Sequence, residues 1–210
     1  VVSTVSLGVL QSNIIHFEPP FSLWKTTALN ELKMFNFGKV YAKFRRALWP
    51  EDKEYLVFIS QGEETRGHYP FWMKYKNTKD NILMCYLGGA EARRVESLSL
   101  DTIKDEIEAV FREAFGNDED CRPLSVAVTD WSKNPRTCGS YSYYPKGAFG
   151  NVSREDLKRG LNRNPEDPSH PTTLYFAGEA FDDKFNGWIQ GGYLSGERTA
   201  HRILDDEYRT

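Results

Sequence analysis

Leu174-Tyr175-Phe176-Ala177-Gly178-Glu179, followed by Asn186-Gly187-Trp188-Ile189-Gln190-Gly191-Gly192-Tyr193-Leu194-Ser195-Gly196, is the stretch on which the fold turns. An apolar strand ends in a small residue with an acid beside it, and a glycine-dense segment then opens a helix. Such a junction lets backbone approach a large anionic ligand closely. The same glycines also suit tight packing of the helix on a sheet, and from the residues alone both readings stand. Either way, strand, loop and glycine-rich helix entry are an α/β signature.

Working outward, 210 residues suffice for one substantial domain or two small ones. Lysine and arginine number 27 against 30 aspartate and glutamate, a net charge of −3, with 40% hydrophobic and 14% aromatic residues. These values exclude a disordered chain and a strongly basic nucleic-acid binder. The longest apolar runs, Tyr55 to Ile59 and Ile82 to Leu87, fall far short of the roughly 20 residues a membrane span needs. No membrane segment and no nucleic-acid partner are expected. Cys85, Cys121 and Cys138 match neither a CxxC clamp nor an even disulfide framework, so all three read as ordinary thiols. The chain opens Val1-Val2-Ser3-Thr4 without methionine and is expected to start inside a longer gene product. Its last residues form neither a KDEL-type nor an SKL-type address, and localisation stays unread.

The hydrophobic pattern alternates strands and helices. Ser22 stands as N-cap before a helix with Trp24, Ala28 and Leu32 spaced by four. Lys39 to Phe44 alternates as a strand, with Val40, Ala42 and Phe44 on one face and Lys39, Tyr41 and Lys43 on the other. The runs at 55–59 and 82–87 read as buried strands of the same sheet. Over 101–115, Ile103, Ile107, Val110, Phe111, Ala114 and Phe115 make one helical stripe, ended by Gly116. Pro123 to Trp131 returns to strand. Residues 132–172 are loop-rich with a short helix near Arg154 to Arg159, and Thr173 to Ala177 is a strand leading to a last helix from about Trp188 to Leu204.

Several chemistries drop out. His16, His68, His170 and His201 show neither HxxxH nor HExxH spacing, so no metal site is expected. Gly192-Tyr193-Leu194-Ser195-Gly196 misses the GxSxG nucleophile elbow by one position, and no Walker loop or GxGxxG occurs.

The opening stretch resembles the C-terminal flavin-binding signature of the flavin-dependent amine oxidases. Val2-Ser3-Thr4-Val5-Ser6-Leu7-Gly8-Val9-Leu10, Phe17-Glu18-Pro19-Pro20 with Trp24-Lys25, Gly38-Lys39-Val40, and Trp131-xxx-Pro135-xxx-Gly139-Ser140-Tyr141 match in the same order, over nearly the whole chain. Among that family the plant and fungal polyamine oxidases are nearest. The resemblance implies the C-terminal half of a two-domain FAD enzyme, lacking the N-terminal half with its GxGxxG and by itself inactive. Residues 1–16 would end one visit to the FAD domain, 17–140 would form a mixed-sheet substrate domain, and 141–210 would return to the FAD domain. The expected fold class is α/β with an α+β mixture.

The resemblance assigns roles residue by residue. Lys39 would hold a water against flavin N5, although its alternation with Tyr41 and Lys43 also suits a solvated strand-face lysine. Tyr141 and Trp188 would form an aromatic sandwich guiding the amine, with simple core packing the rival for Trp188. Trp131 would lie along the flavin ring or else be a strand-end core aromatic. Glu179 would bond the ribityl chain, Gly178 would keep that approach open, and Gly187, Trp188 and Ile189 would add cofactor contacts. Ser140 stands where a covalent-flavin cysteine would, so FAD is expected to be non-covalent.

The implied reaction is oxidation of spermidine- or spermine-like amines: hydride passes to flavin N5, the imine hydrolyses, and O₂ becomes H₂O₂. Rivals are a monoamine or L-amino-acid oxidase of the same family, or an inactive fragment. Asn151-Val152-Ser153 is a glycosylation sequon in which Ser153 equally suits an N-cap.

Overall fold

The computed structural model describes the chain except residues 60, 61, 64, 77–79, 149–152, 165–168 and 209–210. The first half contains β1 (Val2–Ser3), α1 (Leu7–Gln11), α2 (Leu23–Glu31), β2 (Lys33–Phe35), β3 (Phe37–Phe44), β4 (Tyr55–Val57), β5 (Phe71–Lys74), β6 (Asn81–Gly88) and α3 (Gly89–Glu96). There follow α4 (Leu100–Phe115), β7 (Ser125–Val128), β8 (Tyr141–Tyr143), α5 (Arg154–Lys158), β9 (Tyr175–Phe176) and α6 (Ile189–Tyr208). The chain divides into two compact units, one of residues 36–132 and one joining residues 1–35 to 133–210. The segment boundaries implied by the resemblance fall elsewhere, at 16/17 and 140/141. Among the described residues no helix is long and apolar enough to cross a membrane.

The 36–132 unit is a five-stranded antiparallel sheet in the order β4-β5-β6-β3-β7. The period-two pattern of β3 puts Val40, Ala42 and Phe44 on its buried face. Cys85 sits opposite Val40, and Trp72 opposite Cys85, so alternate residues of three strands build one core face. The stripe of α4 covers it with Ile103, Ile107 and Phe111, and the Phe44 and Phe111 rings stack at 4.6 Å. Ser99 caps α4 by accepting from the Thr102 amide at 3.1 Å, and Gly116 ends it at φ +88°. Beside the helix, Arg94 donates to both Glu91 and Glu106 while Tyr69 donates to Glu106 at 2.8 Å.

Two expectations change here. The 55–59 run is an edge strand covered on one face only: Leu56 and Phe58 pack against the core, while Tyr55, Val57 and Ile59 alternate with them on the uncovered face and are exposed. Between it and β6 lies β5, whose Phe71-Trp72-Met73-Lys74 run has no alternation to reveal it. The three cysteines are free thiols, with Cys85 and Cys121 buried.

The other unit pairs β1 with β9 in parallel and β2 with β8 antiparallel. Its core gathers Leu7 and Leu10 of α1, Ala28 and Leu29 of α2, Leu157 of α5, and Phe176. Ser22 does precede α2, but its hydroxyl caps nothing and lies buried without a hydrogen-bond partner. The binding side chain is Lys25, wholly buried, which donates to the carbonyls of Leu157 (2.6 Å), Arg159 (2.9 Å) and Asp156 (3.3 Å) at the end of α5. Ser153 caps α5 through the Asp156 amide at 3.2 Å, whereas Asn151 of the sequon lies outside the described residues. The strand expected over Thr173 to Ala177 is only Tyr175–Phe176, and α6 starts one residue after Trp188.

Candidate active site

The glycine-dense stretch folds as a turn delivering the chain onto α6, and the turn is organised by Asp182. This carboxylate accepts from the amides of Lys184 (2.9 Å) and Phe185 (2.6 Å) and pairs with Arg198 of α6. Burial pushes its pKa up, but the Arg198 hydrogen bond and the two amides outweigh burial and hold it below the usual value of 3.8. Gly191 is a packing glycine, since a Cβ there would clash with the Phe185 carbonyl oxygen. Gly192 and Gly196 are not: a Cβ at Gly192 would meet nothing nearer than 3.9 Å, and at Gly196 nothing within 4 Å. The two readings of the glycines therefore divide between residues, with packing at Gly191 and open space along α6 at Gly192 and Gly196.

Ser195 explains the near miss to a nucleophile elbow. It is buried in α6, accepts from the Gly178 amide at 2.8 Å and donates to the Gly178 carbonyl at 2.7 Å. The hydroxyl is a clamp on the strand-to-turn junction. Gly178 adopts φ +143°, which is what requires glycine there; a Cβ would only touch Phe181 at 3.7 Å.

Glu179 joins two segments. Its Oε1 accepts from the Ser142 amide (2.9 Å), and its Oε2 accepts from the Ser142 hydroxyl (2.6 Å) and the Gly187 amide (2.6 Å). Asn186 Nδ2 donates to Ser142 Oγ at 2.6 Å. A carboxylate offers about four lone-pair positions, and these three bonds take three of them.

Tyr141 stands opposite Phe35 in the β2–β8 register, its ring 5.3 Å from that of Phe35, and burial pushes its phenol pKa up. Trp188 is 65% exposed. Tyr141, Tyr143, Asn186, Gly187 and Trp188 line one cavity of about 370 Å³. Ile189 and Tyr193, 93% and 72% exposed, extend the open apolar surface along the first turns of α6.

The structure thus gathers Tyr141, Gly178, Glu179, Gly187, Trp188 and Ile189 in one unit. Lys39 and Trp131 belong to the other. Lys39 is half-buried on β3, its amide donating to Thr129 Oγ1 at 2.9 Å and its ammonium 5.7 Å from the Tyr86 ring centre. Trp131 follows β7 at 42% exposure and is no core aromatic. Sequence reasoning assigned no role to Ser142, Asn186 or Asp182. Ser142 adjoins the motif residue Tyr141, Asn186 opens the quoted glycine-dense segment and Asp182 lies between the two quoted segments, but only folding shows which way each polar group turns.

These residues fit a flavin. The positive end of a 20-residue helix opens at exposed Trp188 and Ile189, a suitable partner for electron-rich ring oxygens or a developing negative charge.

A family model described as flavin containing amine oxidoreductase matches residues 1–204. The chain belongs to the flavin-containing amine oxidoreductase family, whose cofactor is FAD. It is 31% identical to polyamine oxidase 1 of Zea mays, covering 98% of this chain and 39% of that protein. It is 32% identical to a possible lysine-specific histone demethylase 1 of Drosophila melanogaster, over 98% of this chain and 24% of that protein. Among solved structures, a putrescine oxidase double mutant superposes with a TM-score of 0.69 at 17% identity, over 98% of this chain and 42% of that one. Cyclohexylamine oxidase from Brevibacterium oxydans gives 0.65 at 18%, over 99% and 43%. These likenesses establish the amine-oxidase fold, of mixed helix and sheet. The chain spans about two fifths of the polyamine oxidase it matches.

Proposed function

We propose that this chain supplies the substrate sheet and the flavin-facing helix of an FAD-dependent polyamine oxidase. The observation that carries the reading is the cavity lined by both Tyr141 and Trp188 at the open end of α6. Two aromatic faces hold a slender amine by apolar contact and cation–π attraction without a carboxylate clamp. Similarity to polyamine oxidase 1 of Zea mays and polyamine oxidase 7 of Oryza sativa supports the substrate class.

Bound FAD, held non-covalently, would accept hydride from the carbon beside the amine nitrogen and return the electrons to O₂ as H₂O₂. Glu179, Gly178 and the start of α6 would hold it, with Trp131 along its ring. Tyr141 and Trp188 orient the amine, and Lys39 would position a water at the reacting edge. Residues 1–16 and 141–210 would belong to the flavin domain and 17–140 to the substrate domain; the grouping of 1–35 with 133–210 supports joining the first and last segments. Without a GxGxxG among its residues, the chain alone would hold no FAD.

A second reading is favoured by the histone demethylase relative, which would make the substrate a histone lysine amine. The test offers the complete enzyme spermidine, spermine, amino acids and a methylated-lysine histone peptide, and measures H₂O₂. Polyamines should be oxidised fastest, and Tyr141→Ala or Trp188→Ala should abolish most turnover. Faster oxidation of amino acids or of the peptide overturns the polyamine assignment.

A further inference from the structure

The hydrogen bonds around Glu179 connect the two aromatic walls from behind. Ser142, next in sequence to Tyr141, donates its amide and its hydroxyl to the two carboxylate oxygens. Gly187, immediately before Trp188, donates its amide to the Oε2 that also receives the Ser142 hydroxyl. Asn186 closes the ring onto Ser142 Oγ. We propose that Ser142, Glu179 and Asn186 form a latch that sets the distance between Tyr141 and Trp188, and with it the width of amine admitted. Ser142 and Asn186 are positioning residues of the site, and the proposal rests on the amine-oxidase reading above.

The geometry makes the latch stiff. Ser142 is 1% exposed, so its hydroxyl is largely shielded from bulk solvent. One carboxylate oxygen holds groups from both walls, and hydrogen bonds to an ionised acceptor are roughly twice as strong as neutral ones. Gly187 is fixed at φ +79°, its Cα close enough to the β8 backbone that a Cβ would lie 3.2 Å from the Ser142 carbonyl. Each aromatic residue is therefore bonded through its sequence neighbour to the same carboxylate. A carboxylate serving only a ribityl hydroxyl would not need this arrangement.

The test uses the complete FAD-loaded enzyme carrying fluorotryptophan, with the Trp188 fluorine resonance assigned by Trp188→Phe. Ser142→Ala deletes both hydroxyl bonds; Asn186→Ala, at a half-buried position, deletes only the outermost and guards against a folding failure. Both should keep their flavin, shift or broaden the Trp188 resonance, and raise KM for spermidine about tenfold, the value of one ordinary hydrogen bond, with kcat little changed. Relative activity on N-benzylated spermidine should rise as the gap loosens. An unmoved Trp188 resonance overturns the latch, whether flavin stays bound with KM unchanged or is lost. If the wild type oxidises no amine, the functional reading fails instead, and the resonance alone decides the latch.

Discussion

Lys25 Nζ lies 3.8 Å from the centre of the Phe176 ring, fully buried, with its ammonium turned to the last carbonyls of α5. Burial pushes its pKa down to about 7, opposed by the negative charge of Asp156. The unfolded chain therefore binds one more proton between about pH 7 and the ordinary value of 10.5, and stability from this group rises with pH across that window.

Lys25→Met should destabilise the complete enzyme by about 1–3 kcal/mol through the carbonyls it orphans. The gap between wild type and variant should widen as pH rises above 7, since only the wild type has the protonation slope. Denaturant titrations at neutral and alkaline pH measure both; a gap that shrinks with pH contradicts the lowered pKa.

Asp182→Asn keeps an Oδ1 that can still accept from the Lys184 and Phe185 amides, but it removes the charge and puts an NH2 donor where Oδ2 pairs with Arg198 of α6. A depressed carboxylate stabilises above its unfolded pKa, so the wild-type advantage should be complete above about pH 4 and vanish as pH falls through the lower folded value. At neutral pH the cost should be about 1.5–3 kcal/mol, typical of hydrogen bonds to a charged group. Melting curves of both proteins from neutral to acid pH check the sign.

Gly187→Ala places a methyl 3.2 Å from the Ser142 carbonyl and 3.4 Å from the Tyr141 ring, at φ +79°. The strain, about 1–3 kcal/mol, falls on the junction between the two aromatic walls. Amine KM should rise and flavin content fall, read by steady-state kinetics and the flavin absorbance of purified enzyme.

Lys39→Met keeps the apolar stem on β3 and the amide bond to Thr129 while deleting the ammonium. If Lys39 fixes a water at the flavin edge, the reductive or oxidative half-reaction should slow roughly a hundredfold or more without loss of stability, as for other single electrostatic contacts to a transition state. Rapid-mixing absorbance separates the halves. Wild-type rates in both would leave Lys39 a strand-face lysine.

Local pattern alone determined the elements whose burial repeats along the chain. The alternation in β3 and the stripe of α4 were legible because one face of each is covered continuously, so composition and accessibility run in step. The family was legible too, since glycines at fixed backbone geometry and motif aromatics keep their order in the sequence. Tertiary structure decided whatever depends on a partner distant in the chain. The run at 55–59 is as apolar as a strand buried on both faces, yet only the face of Leu56 and Phe58 meets the core, and Tyr55, Val57 and Ile59 are left on the uncovered one. Among the lysines of the described residues, the buried one is Lys25, not Lys39, because carbonyls some 130 residues away meet it. Ser142 carries no motif and Asn186 only opens one, and both became part of the site when folding brought Glu179 against Ser142 and Gly187. A side chain's hydrogen-bond partner is a property of the three-dimensional fold, and no period along the chain encodes it.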